Sequence, residues 1–221
     1  MNNDFEILIN FKGFGRPNGK IWFVGIEEAA DFKNNYGEII NEYSKGWFPF
    51  KSGSIQEDSK RYGNHYTQVY GIMAKIMIGL FPTTDWRAYE HESLLTEKGN
   101  EFQMNLYPLG KKSLKTKIED YEKMFELSDQ QEYLDKVRRE RFPKLFDFWK
   151  QHSPEFTICF GIGNIADFKD TFRLGEATSL MESKLILFEK EKILITPFFG
   201  NRFMGKNKID EAVKIIKTLI H

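Results

Sequence analysis

An α/β fold with a mostly parallel sheet is predicted by two features of the sequence. Four short segments are apolar almost throughout, and helix-period patterns lie between them. The segments are residues 20–26 (KIWFVGI), 101–106 (EFQMNL), 155–160 (EFTICF) and 193–197 (ILITP). A strand covered on both faces loses polar alternation and reads as such a run. Each run is followed by Gly, Pro or polar residues, where a chain leaves a sheet. We therefore expect a three-layer α/β/α domain around a short, mostly parallel four-stranded sheet. No internal repeat or composition break divides the chain, so residues 1–221 are expected to form one domain.

The connecting elements follow in chain order. Residues 45–64 carry GWFPF among Gly, Ser and charges and read as a loop. Residues 66–81 place Val69, Ile72, Met73, Ile76, Met77 and Leu80 on one helical face. Residues 107–116, with Pro108 and Gly110, read as a second loop. Residues 128–151 form a charged helix with Tyr133, Val137, Phe142, Leu145 and Phe148 inward; Pro143 either splits it or marks a new first turn. Residues 163–172 form a short helix. Residues 207–220 form the last one, with Ile209, Val213, Ile216 and Ile220 on one face and Asn207 as its N-cap. Residues 183–188 and 193–197 can alternatively pair as a hairpin around Lys190-Glu191.

Composition restricts the function classes. Hydrophobic residues are 41% and aromatics 15% of the 221 residues, enough for a sizeable core without covalent staples. The one cysteine, Cys159, cannot close an internal disulfide, which suits a reducing compartment. No apolar run approaches the roughly 18 residues of a membrane span, and MNNDFEIL lacks a signal-peptide pattern. A soluble, cytoplasmic protein is expected, with no membrane partner. Lysine plus arginine equals aspartate plus glutamate at 32 each, against a chain that coats nucleic acid by charge alone. His65, His91, His152 and His221 show no metal-ligand spacing, so no metal is expected. Phe160-Gly161-Ile162-Gly163 is half of a dinucleotide fingerprint whose later Gly is Ala166, and there is no P-loop. No cofactor is expected.

Ligands of parallel α/β sheets collect beyond the carboxyl ends of the strands. The residues there are Gly25-Ile26-Glu27-Glu28, then Asn105-Leu106-Tyr107-Pro108, then Gly161-Ile162-Gly163-Asn164, then Pro197-Phe198-Phe199-Gly200-Asn201-Arg202. A carboxylate pair, a carboxamide, glycines and an arginine are thus expected at one edge, with Glu27, Asn105 and Arg202 lining one cleft. That order resembles the uracil-DNA glycosylase superfamily, through Gly25-Ile26-Glu27, Gly46-Trp47-Phe48, Asn105 and Gly163-Asn164-Ile165-Ala166, from about residue 20 onward.

The resemblance implies a site. Glu27, with Glu28 as its fallback, would stabilise a cationic sugar or hold the attacking water. Phe48 would stack on a flipped base, with Trp47 second, and Asn105 would read a pyrimidine edge. Phe198 stands where the family has a histidine at the base, and Glu28 where it has a proline. Uracil excision is accordingly expected to be weak or absent. Lys111, Lys112, Asn201 and Arg202 are the candidates for nucleic-acid contact. The expected partner is DNA or a nucleobase-containing ligand. An inactive relative serving as a nucleic-acid or protein interaction module is the alternative.

Plainer readings stand beside these. Glu27 and Glu28 also suit a helix start. Asn105 also suits a capped strand end. Trp47 and Phe48 also suit the core. Lys136, Arg138, Arg139 and Arg141 suit a solvated helix face, with phosphate contact as the alternative.

Overall fold

The computed structural model describes residues 3–27, 35–55, 65–110, 125–180, 184–200 and 202–220. The four apolar runs form strands whose ends lie within one residue of those expected: β2 (Ile21–Gly25), β4 (Glu101–Asn105), β5 (Phe156–Phe160) and β8 (Ile193–Thr196). Every residue in them is buried, which explains their unbroken hydrophobicity. They lie side by side in the order β4-β2-β5-β8, all parallel.

The sheet is larger than the expected four strands. Among the described residues β1 (Gly13–Gly15), β3 (Trp47–Phe48), β6 (Ser179–Leu180) and β7 (Ile186–Phe188) extend it, giving β3-β1-β4-β2-β5-β8-β7-β6. These strands are two or three residues long, too short to show a period. β1 pairs antiparallel with β4 and parallel with β3, and β3 lies inside the 45–64 segment expected to be loop. β7 pairs antiparallel with β8, with Phe188 opposite Ile193. The hairpin and the parallel pairing both occur, because β8 has two edges.

The helices are α1 (Asn3–Asn10), α2 (Tyr36–Tyr43), α3 (His65–Leu80), α4 (Trp86–Glu92), α5 (Gln130–Glu140), α6 (Phe142–His152), α7 (Ile165–Phe172) and α8 (Lys206–Lys217). The long charged pattern breaks at Arg141, and Pro143 stands in the first turn of α6, where a missing N–H does no harm. Asn207 is not the N-cap of α8; Gly205 is, in extended backbone, and its carbonyl accepts from the Lys208 and Ile209 amides at 3.1 Å.

Alternating side chains of β2 reach two layers. Trp22 packs with Phe102 (4.8 Å between ring centroids) and with Phe148 of α6 (5.6 Å). Phe23 packs on the opposite face against Phe199. α3 and α8 pack together, and a methyl at Gly79 would come 2.7 Å from Val213 Cγ2. No described helix is long and apolar enough to cross a membrane.

Candidate functional site

The chain passes from β2 to β4 on one side, then to β5 and β8 on the other. The connection reverses between β2 and β5, which is where doubly wound sheets open a crevice at their carboxyl ends. Gly25 and Asn105 stand in register at that edge. The ladder runs on past them, with the Leu106 amide donating to Gly25 O at 3.0 Å and the Tyr107 amide to Ile26 O at 2.8 Å. Across the crevice the chain leaves β5 at Gly161, with φ +122°, a conformation that strains any other residue.

Asn105 is 8% exposed. Its carboxamide lies above Gly25, where a Cβ would come 2.3 Å from Asn105 Oδ1 and 2.8 Å from Phe160 Cζ. Glycine at 25 is therefore what lets a carboxamide and an aromatic ring converge over the end of β2. The Asn105 carboxamide makes no hydrogen bond to any described residue, although its main-chain carbonyl is held firmly. That carbonyl accepts from Arg141 Nη2 at 2.9 Å.

Arg141 is 1% exposed. Its Nε donates to Leu106 O at 2.9 Å, and its Nη1 to Leu8 O at 2.9 Å, Ile9 O at 3.0 Å and Phe11 O. One guanidinium thus ties the end of β4 to the end of α1 through five backbone carbonyls. Burial lowers its pKa to about 10, which leaves it charged at neutral pH. By sequence Arg141 suits a solvated face; the structure turns it inward. The signal was its place four residues after Val137 and four before Leu145, on the buried stripe.

Tyr107 lines the cleft beside Asn105, and the Tyr133 ring lies 6.2 Å from that of Tyr107. The Tyr107 hydroxyl donates to Asp167 Oδ2 at 2.9 Å, and Arg138 holds the other oxygen of Asp167 through Nε and Nη2, both at 3.1 Å. Burial and then the Asp167 charge raise the Tyr107 pKa, so its hydroxyl stays protonated. The Tyr133 hydroxyl accepts from the Leu109 amide at 3.2 Å. Its pKa is raised first by burial and further by the nearby charge of Glu27. Glu27 is half-buried, and its charge is therefore felt inside the fold at this edge. Asp167 was not singled out from the sequence; its position in the first turn after the third apolar run was the available signal.

The remaining candidates are spread across the sheet. Phe198 is 36% exposed, with its ring 6.3 Å from that of Phe160 and lying against Gly200. Phe199 is fully buried and stacks on Phe160 at 4.5 Å. Arg202 is exposed, with φ +61°, beyond the strand three positions from β4. At ordinary strand spacing that places it about 14 Å along the sheet from Asn105. Phe48 lies on the outer strand β3, two positions from β4. Its ring packs against Phe11, Phe14 and Phe50, with Lys45 Nζ 5.4 Å from its centroid. Trp47 beside it is 40% exposed. Glu28, Lys111, Lys112 and Asn201 lie outside the described residues.

The cleft between Phe11, Phe14, Tyr43, Asn105, Tyr107, Pro108 and Arg141 encloses about 10 Å³, room for about one water. A ligand of nucleobase size would sit over its mouth or widen it. Among the described residues no group of His, Cys, Asp and Glu side chains could hold a metal ion. Cys159 is buried, and its thiol pKa is raised by that burial, which makes it a poor nucleophile. No protein-family model matches the chain and no curated protein matches it, so its likeness to the uracil-DNA glycosylases stands on the motifs alone.

Proposed function

We propose that this chain is a divergent uracil-DNA glycosylase-like protein that binds a nucleobase, free or within a nucleic acid, at the carboxyl edge of its parallel sheet. The observation that carries the reading is the Asn105 carboxamide. It is almost buried, sits beside the reversal point of the sheet and makes no hydrogen bond to a described residue. Among the described residues its oxygen and nitrogen do not belong to the buried side-chain atoms left without a partner, so the carboxamide meets solvent and is open to a ligand. It offers a donor and an acceptor side by side. That pattern complements one edge of a pyrimidine. Glu27 lies two residues beyond Gly25, the register partner of Asn105, where a carboxylate can stabilise a developing sugar cation.

Hydrolysis of the glycosidic bond needs a donor at the leaving base. A departing pyrimidine gathers negative charge, and a donor aimed at it is worth roughly 3–4 kcal/mol. Phe198 supplies none. Incubation with labelled oligonucleotides carrying uracil, hypoxanthine or a thymine mismatch tests both binding and hydrolysis. The expected outcome is base-dependent binding with little or no release, and a gain of uracil release in Phe198→His. Robust wild-type release abolished by Glu27→Gln would overturn the low-activity expectation. A second reading, an inactive module that binds nucleic acid or protein, is favoured by the small volume of the cleft. Absence of base-dependent binding would select it.

A further inference from the structure

We infer that the aromatic wall against which a bound base stacks is Phe198, backed by Phe160, and not Phe48. The inference rests on the nucleobase-binding reading and names the residue that selects for a flat, uncharged ring at that site. Three large apolar side chains are substantially exposed among the described residues: Trp47, Phe198 and Phe203. Of these, Phe198 follows directly on the parallel centre of the sheet and packs on Phe160. Phe160 in turn converges with Asn105 Oδ1 over Gly25. A carboxamide with unused hydrogen-bonding capacity and an exposed ring are thus joined by one intervening side chain.

Phe48 is placed differently. Its strand is separated from β2 by β1 and β4, and the ring belongs to a cluster with Phe11, Phe14 and Phe50. Phe48 does not line the Asn105 cleft; the Phe11 and Phe14 rings on which it packs do, and these are only 4% and 3% exposed. Phe199 is excluded because it is fully buried in the stack on Phe160. Phe198 offers an exposed aromatic ring and no charge, so the preferred ligand is a neutral planar heterocycle with a donor beside an acceptor on one edge. The negative charge of Glu27 at the same edge disfavours an anionic form of that ligand.

The test is ligand-observed NMR titration of free uracil with the full chain. The expected result is an upfield ring-current displacement of the uracil H5 and H6 signals on binding. In Phe198→Ala the displacement disappears and affinity falls about tenfold or more, the usual loss when one stacking partner is removed. Phe198→Leu, which keeps apolar bulk, loses the displacement as well. Phe48→Leu, which preserves packing, leaves both unchanged. Uracil that binds equally well to Phe198→Ala, or that loses its displacement in Phe48→Leu instead, overturns the assignment and leaves the base-binding reading standing. Absence of uracil binding by the wild type, together with indifference of the titration to Asn105→Ala, overturns both.

Discussion

Replacing Arg141 by methionine is the substitution whose consequence the structure specifies most fully. The side chains are similar in length, so packing is nearly conserved while all donors are removed. Five carbonyls, those of Leu8, Ile9, Phe11, Asn105 and Leu106, then lose their guanidinium partner in a site that is 1% exposed. Each buried acceptor left unpaired costs about 1–3 kcal/mol. Relief of the guanidinium's desolvation offsets part of that, and breaking one side of a buried charged network typically leaves about 3–5 kcal/mol of net loss. For a chain of this length each kcal/mol moves the melting temperature by roughly 2–4 °C, so Tm should fall by about 6–20 °C. Arg141→Lys should lie between, because an ammonium has three donors and no fork to span the two chain segments. Urea denaturation and calorimetry read the effect. A loss below about 1 kcal/mol would show that water already serves these carbonyls, and would remove Arg141 as the clamp that fixes Asn105.

Two further substitutions test separate parts of the account. Lys12 lies close to the Arg141 and Lys144 charges, and burial first, then those cations, lower its pKa to about 7. Below pH 7 both folded and unfolded states carry the proton, and the folded state bears the whole electrostatic cost. Between about 7 and 10.5 the folded amine is neutral and the unfolded one charged, so stability should rise through that window. Lys12→Met should therefore stabilise the protein near pH 6 by roughly 1–2 kcal/mol, a value discounted for partial exposure. The gain should fade toward pH 10, and a pH-independent gain in chemical denaturation would contradict the electrostatic cause. Gly25→Ala puts a methyl 2.3 Å from Asn105 Oδ1. It should cost about 1–3 kcal/mol of stability and displace the carboxamide, so uracil binding measured on the folded variant should be lost. Unchanged affinity would show that Asn105 does not read the ligand.

The parts of the fold legible in the sequence were those dictated by burial on two sides. β2, β4, β5 and β8 are continuous apolar runs because every residue in them is buried, and their carboxyl ends could be aligned without coordinates. The edges were not legible. GFG at β1 and WF at β3 are too short for a period, and their glycines and aromatics suit a loop equally well. Asn207 suits a cap by residue type, but the cap is Gly205, two residues earlier.

Within the candidate site, Asn105 and Gly25 were legible because each ends a buried strand. Arg141 was not, because its charge outweighed its position on the buried stripe. The division of labour between Phe198 and Phe199 was hidden for another reason. β8 ends at Thr196, so strand alternation no longer determines which of two adjacent phenylalanines turns inward. The Tyr107–Asp167–Arg138 network joins residues far apart in the chain and leaves no local motif.

The central claim, that the Asn105 carboxamide reads a base at the edge of the sheet, is tested most directly by one binding comparison. Wild type and Asn105→Ala are titrated with a single-stranded oligonucleotide carrying one uracil and with its abasic counterpart. The account predicts that the wild type prefers the uracil strand by about tenfold or more, the worth of one well-aligned polar base contact. In Asn105→Ala the preference should vanish while the weaker, base-independent binding persists. Equal wild-type affinity for the two strands, or a preference that survives Asn105→Ala, would contradict it.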